Sequence, residues 1–308
     1  MSTRSKLSYI PATDDDRAAM CEAVGVSSID ELFEQIPEDA RLGRPLNVPP
    51  GLAEQDVLAL CESLASRNRH MGELVSFLGA GAYDRYIPAV VDAVISRSEF
   101  ATTYTPYQPE SSQGLLQTIY EYQSMIAALT GMDVSNASLY DAATAIGEAA
   151  IMSFSITGRA RVLVGRAVHP HYRQVLATYT SGLGIEVEEV GCSEGVTDIE
   201  ALRSGLDDSV ACVVVQYPNF FGSVEPLGAI ARAAHDAGAL LVVSADPVAL
   251  GLLTPPGAYG ADIVVGEGQP LGIPTGFGGP FLGIFACRRE HMRKMPGRVV
   301  GATLDADG

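Results

Sequence analysis

Hydrophobic positions along this chain change their spacing as it proceeds. Up to about residue 70, short runs of helical spacing are separated by prolines and glycines. Ser28 precedes IDELFEQI with Glu31 three residues on, a capping-box spacing ahead of an apolar run. Pro45, Pro49, Pro50 and Gly51 then break the chain before a second helix predicted near Ala53 to Ser66. No strand pattern occurs in this stretch. It reads either as an arm laid over another surface or as a small helical cap on its own domain. From Gly114 the pattern is firmer: Leu115, Ile119, Tyr122, Met125, Ile126 and Leu129 share one helical face, with Gly131 placed to end the helix. A further helix is predicted from Ala142 to Ile156. Apolar, β-branched runs follow at 161–165, 185–190, 210–216, 239–246 and 261–267, separated by helical stretches near 172–180, 199–205 and 227–237. Strands alternating with helices at this spacing imply βαβ crossovers and a mainly parallel sheet covered on both faces. One more strand, 280–288, follows a glycine-rich loop.

Composition narrows the function classes. A chain of 308 residues with 47% hydrophobic side chains can bury a large core without disulfide or metal staples. Its 20 basic residues stand against 37 acidic ones, a net charge of −17, which argues against nucleic-acid binding. Cys21, Cys61, Cys192, Cys212 and Cys287 are scattered with no CxxC, a pattern that suits a reducing cytoplasm and offers no zinc spacing. The N-terminus lacks an apolar signal region, and the longest apolar stretch, Ala239 to Leu253, is broken by Asp246 and Pro247. Only Lys6 and Lys294 are lysines, both close to an end, so chemistry needing a lysine in the middle of the fold is excluded. The chain stops in VVGATLDADG without a final helix or strand, as expected of a break inside a longer protein.

Several motifs carry candidate chemistry. LGAGAYD (78–84) contains a GxG, but Asp84 stands at the third glycine position and no strand-helix-strand unit follows, so a dinucleotide site is poorly supported. In EFATTYTPYQPESSQG (99–114), prolines 106 and 109 stiffen a loop bearing Tyr104, Thr105, Tyr107, Gln108 and Glu110. This loop is either a polar-ligand platform or a rigid connector whose tyrosines pack. SLYDAATA opens a helix, where Asp141 is expected to cap the amides rather than leave them to a phosphate. GEGQPLGIPTGFGGP (266–280) is flexible enough for close backbone approach but lacks the P-loop pattern. His169 and His171 read as capping or surface residues more readily than as metal ligands. Asp246, at the end of a buried strand, is either a site residue or a strand-end cap.

Taken together, YTPYQPE (104–110), GMD (131–133), ASLYD (137–141), EGQPLG (267–272) and FGGP (277–280) resemble the N-terminal half of the glycine cleavage P-protein, as found in subunit 1 of the two-subunit glycine decarboxylases. The likeness runs from SYIPAT through FLGAGAYD and YIPAVVD to VVGATLDADG, essentially the whole chain. It implies the large domain of a pyridoxal-phosphate (PLP) fold type I, aminotransferase-like enzyme over 86–308, preceded by a helical arm over 1–85, with a small C-terminal domain missing. It implies glycine decarboxylation with transfer of the aminomethyl group to the lipoyl arm of H-protein. By the same comparison Gln269 stands where the catalytic partner has its Schiff-base lysine, and Gly268 where that partner has a histidine. The resemblance therefore implies a subunit inactive alone, with PLP carried by the partner. Tyr104, Tyr107, Gln108 and Glu110 are expected to line the partner's glycine or lipoyl pocket, and Thr275, Gly278 and Gly279 to face its cofactor phosphate. Further readings are a purely structural or regulatory partner, an NAD-dependent enzyme suggested by LGAGAYD, and last a self-sufficient PLP enzyme, which lacks its lysine.

Overall fold

The computed structural model describes residues 11–108, 114–276 and 280–307. The chain divides into two compact units, Met1–Asn68 and Arg69–Gly308. In the first, α1 (Asp14–Val24) is capped by Thr13, whose hydroxyl accepts from the Asp16 amide at 3.1 Å while the Asp16 carboxylate accepts from the Thr13 amide at 2.8 Å. Asp14, Asp15 and Asp16 favour the positive end of the helix dipole. The box expected at Ser28 does not form: Ser28 makes no cap, and Glu31 instead accepts from the amide and hydroxyl of Ser27 at 2.6 and 2.8 Å. Residues 29–33 form a 3₁₀ turn rather than an α-helix, since Pro37 leaves too few residues to offset helix nucleation. Helix α2 (Glu54–Ala65) follows close to its predicted bounds. No described residue of this unit is buried.

The second unit opens with two short helices absent from the sequence pattern, α3 (Ala89–Ile95) and α4 (Ser98–Ala101). Then come α5 (Gly114–Thr130), β1 (Val134–Ser135), α6 (Ala142–Thr157), β2 (Arg161–Gly165), α7 (Pro170–Thr180) and β3 (Glu186–Val190). A small hairpin, β4 (Cys192–Ser193) and β5 (Val196–Thr197), leads into α8 (Ile199–Gly205), β6 (Val210–Tyr217), α9 (Leu227–Asp236), β7 (Leu240–Ala245), β8 (Ile263–Glu267) and β9 (Gly283–Cys287). The seven-stranded sheet has the order β1-β9-β8-β7-β6-β2-β3. Pairing from β8 through β3 is parallel; β9 and β1 close one side antiparallel. Among the described residues, no helix is long and apolar enough to cross a membrane.

Successive strand residues serve opposite faces, which is why the central strands read as continuous apolar runs. Leu163, Val213, Val215, Leu241, Val243, Val264, Ile284 and Ala286 enter one core cluster with α5, α8 and α9. Val162, Val164, Cys212, Val214, Val242, Ile263, Val265 and Phe285 enter the other with α6 and α7. Edge strand β3 keeps Glu186, Glu188 and Glu189 outward; Arg161 pairs with Glu188 and Asp207, and Arg173 with Glu189. Charge on an edge discourages pairing with another chain. Gly131 takes the expected left-handed conformation at φ 71° as α5 ends. The hairpin escaped the sequence pattern because two-residue strands show no alternation. Its turn uses Glu194 and Gly195 at φ 52° and 82°.

Leu241 is fully buried at the centre of the first cluster. Leu241→Ala is therefore expected to cost about 3 kcal/mol in urea unfolding. The same truncation at exposed Leu46 should shift the midpoint within experimental scatter.

Candidate functional site

In open parallel sheets, ligands are taken outside the carboxyl ends of the strands. Here β2, β6, β7 and β8 present that edge together. Gly283 makes it possible for α6 to begin there. Leu139 and Gly283 exchange two backbone hydrogen bonds, at 2.8 and 3.0 Å, and a Cβ on Gly283 would lie 2.7 Å from the Asp141 carbonyl oxygen. The start of α6 is thereby held against the end of β8. Asp141 caps it as expected, accepting from the Thr144 amide at 2.8 Å. Glu267, the last residue of β8, adds a second carboxylate: Oε2 accepts from the Ala142 amide at 3.1 Å, and Oε1 from the Gln269 and Leu282 amides at 3.0 and 2.9 Å. Burial pushes the Glu267 carboxyl above its ordinary pKa, while these amide bonds pull it back.

Gln269 follows two residues later and is only 2% exposed. Its side-chain amide is used on both sides. Oε1 accepts from the Tyr83 amide and Nε2 donates to the Tyr83 carbonyl, both at 3.4 Å, and Nε2 also donates to the Ile273 carbonyl. His169 lies beyond the end of β2, N-capping α7 through Nδ1, which accepts from the His171 amide at 3.0 Å. Its Nε2 stands 2.7 Å from the Ala80 carbonyl oxygen. Nδ1 as acceptor and Nε2 as donor assign the neutral Nε2–H tautomer. The ring is stacked on Tyr172, with centroids 4.5 Å apart. Burial lowers the His169 pKa first, aided by neighbouring His171 and Arg173. Burial likewise raises that of Tyr172, with Glu267, Asp141 and Asp246 adding to it. Asp246, just past β7, acts as a strand-end cap: Oδ1 accepts from the Val248 and Ala249 amides at 2.8 and 3.4 Å, and Oδ2 faces Arg85 at 3.7 Å.

The residues singled out in the sequence fall into two groups. Gln269 is at the carboxyl edge. Thr275, farther along the same loop, has its hydroxyl 3.7 Å from the Met71 sulfur. Tyr104 is 93% exposed and Tyr107 is exposed too, in the segment before α5; no hydrogen bond or ring contact among the described residues joins either to Gln269 or Thr275. Glu110, Gly278 and Gly279 lie outside the described residues, and Gln108 is exposed in the same segment before α5. Glu267, Tyr83 and Arg85 were not singled out as site residues, and His169 was read as a cap or surface residue. Position after a strand end is the signal that marks Glu267 and His169; nothing local marks Tyr83. Cavities of about 390 Å³, beside Val94, Phe100 and Leu115, and about 320 Å³, beside Val164, Arg173 and Val187, share no residue with this cluster. Among the described residues, no group of His, Cys, Asp and Glu side chains could hold a metal ion.

The sequence profile described as glycine cleavage system P-protein matches residues 7–308. A probable glycine dehydrogenase (decarboxylating) subunit 1 of Geobacillus kaustophilus is 55% identical over 97% of this chain and 67% of its own length. Its counterpart in Desulforamulus reducens is 53% identical over 98% and 68%. The chain thus spans about two thirds of the length of these relatives. Among solved structures, glycine decarboxylase (P-protein) of the glycine cleavage system, in inhibitor-bound form, superposes with a TM-score of 0.88 at 45% identity, covering 97% of this chain and 67% of that one. A sphingosine-1-phosphate lyase of Burkholderia pseudomallei shares the fold, with a TM-score of 0.60 at 16% identity, over 84% of this chain and 64% of its own. So does a pyridoxamine-pyruvate aminotransferase of Mesorhizobium loti, with a TM-score of 0.51 at 19% identity, over 71% and 52%. The fold is the PLP fold type I arrangement expected from the sequence.

The lowered pKa of His169 sets a sign. The folded state holds fewer protons on this ring than the unfolded chain does, so stability is present above the ordinary value of 6.5 and is lost as pH falls through and below it. Protonation would also put a hydrogen on Nδ1, facing the His171 amide. Urea midpoints at pH 7.5 and at pH 5.5 should therefore differ more for the wild type than for His169→Gln, which keeps a donor and does not titrate. Equal acid sensitivity would remove His169 from the account.

Proposed function

Because the chain belongs to the glycine cleavage system P-protein family, we propose that it is the subunit of glycine dehydrogenase (decarboxylating) that carries no PLP and completes the active site of a PLP-bearing partner subunit. The reaction is decarboxylation of glycine, with the aminomethyl group passed to the lipoyl group of H-protein. The cofactor, bound to the partner, supplies the electron sink. This chain alone is inactive. In this reading 86–308 is the fold type I large domain and 1–85 the arm. The protein works in the cytoplasm, in keeping with five free cysteines.

The observation that carries the reading is Gln269, the second residue after β8. Covalent attachment of an aldehyde cofactor needs an amine, and position 269 offers a buried amide. Lys294, the sole lysine among the described residues, donates to Ser155 at 3.1 Å, near the far end of α6. Thirteen residues of helix from Ala142 put that amine roughly 20 Å from the Glu267 end. The residues at this edge therefore do not fit a covalently held PLP of their own.

The proposed contribution lies on surfaces turned outward. Tyr104 and Tyr107 expose their rings, and with Gln108 and Glu110 they would line the partner's glycine or lipoyl pocket. Thr275, Gly278 and Gly279 would face the phosphate of the partner's cofactor. The exposed apolar run Val75, Phe77 and Leu78, with Phe77 95% exposed, favours a large covering surface. That run equally serves a second reading, in which the chain is a structural or regulatory partner without active-site residues.

The test is exchange of labelled bicarbonate into the glycine carboxyl group with H-protein present. Exchange is expected in the complex and absent from each separated chain. Tyr107→Phe combined with Glu110→Gln should lower it at least tenfold while the complex still assembles. Unchanged turnover in that variant, or full activity of the partner alone, would favour the structural reading.

A further inference from the structure

The carboxyl edge of the sheet is covered by the chain itself. Within 80–85, four residues are tied to the ends of three different strands, β2, β7 and β8. The Ala80 carbonyl accepts from His169 at 2.7 Å. Gly81 packs so closely that a Cβ there would stand 3.3 Å from the His169 ring and the Tyr172 hydroxyl. Tyr83 is bridged through both its backbone groups by the Gln269 amide. Arg85 faces Asp246 at 3.7 Å and lies over the Tyr83 ring, 5.5 Å from its centroid. Gly79, Ala80 and Gly81 all have positive φ, and Ala80 at 64° is held in a conformation that a non-glycine residue seldom takes without tertiary support.

The donors that would hold a cofactor phosphate are used as well. A helix N-terminus over this edge is a ready anion site. At α6, however, the Ala142 amide donates to Glu267 and the Thr144 amide to Asp141. Two protein carboxylates thus stand where a phosphate would be bound, and Asp246 adds a third negative charge to the same neighbourhood.

We propose that Gln269 is a positioning residue that straps 80–85 across this edge, so that the chain fills its own cofactor cleft and a lysine restored at 269 does not restore a cofactor site. An amide suits the strap because it can donate to the Tyr83 carbonyl and accept from the Tyr83 amide together. A lysine ammonium only donates and would leave the Tyr83 amide unpaired. The strap fixes the segment that leads through Arg85 and Tyr86 into α3. The inference goes beyond the proposed function: it holds whether or not any residue of this chain reaches the partner's chemistry.

The experiment uses the complex purified with its partner chain, carrying wild-type, Gln269→Lys or Gln269→Met subunit. PLP is added, the sample is reduced with borohydride, and peptides of this chain are mapped for a phosphopyridoxyl group. Hydrogen–deuterium exchange of peptides spanning 79–86 and of strands β7 and β8 is followed in parallel. Gln269→Lys is expected to carry no adduct at 269. Gln269→Met is expected to exchange at least tenfold faster across 79–86 with the two strands unchanged, a local effect that general destabilisation would not produce. Should Gln269→Met fail to assemble, Gln269→Glu, which keeps size and acceptor but loses the donor, is judged by the same readout. A reduced adduct at 269, or unaltered exchange across 79–86, overturns the proposal. Glycine exchange in these variants bears on the proposed function instead, so the two can fail separately.

Discussion

One buried carboxylate organises the functional edge of this protein. Glu267 accepts backbone hydrogen bonds from Ala142, Gln269 and Leu282, which lie on three separate segments. Each amide would otherwise sit unpaired at a place shielded from water, at a cost of about 1–3 kcal/mol. The bonds also offset the burial that disfavours the ionised carboxyl. Through this group the start of α6, the turn bearing Gln269 and the entry to β9 share one anchor. Gly283 is the steric condition for it, since any side chain there would push Asp141 away.

From that anchor the remaining contacts follow outward. With the Gln269 backbone fixed, its side chain reaches the Tyr83 backbone. His169, held through its amide by Gln216 at 2.8 Å, reaches Ala80. The edge that a fold of this class reserves for a ligand is therefore lined with satisfied polar groups. A catalytic site commonly keeps groups poised for an incoming molecule; here the chain's own carboxylates, amide and carbonyls meet those needs.

The first described residue to be buried is Gln123. A stretch of such length without burial gives little return for the conformational entropy of ordering it. Val75, Phe77, Leu78, Tyr86 and Tyr104 present large apolar groups to solvent within the second unit. Exposed apolar groups in such number commonly mark a contact surface. The core of the second unit is complete without it, with two apolar clusters on opposite faces of the sheet.

The sequence by itself determined the longer helices and strands from α5 onward. Strands buried on both faces must be continuously apolar, and glycines and prolines punctuate them, so β2, β6, β7, β8 and β9 were legible within a few residues. It also excluded a lysine near the middle of the fold. It could not place the short hairpin or helices α3 and α4, which are too brief to show a period, and Pro37 reduced the expected helix after Ser28 to a 3₁₀ turn. The joining of Tyr83 to Gln269, 186 residues apart, and of Ala80 to His169, 89 apart, was decided by tertiary structure alone. Local spacing reports which face of an element is apolar. It carries no record of which distant backbone group will satisfy a buried amide or fix the tautomer of a buried ring. That depends on the sheet order, which brings the ends of β2, β7 and β8 to one edge.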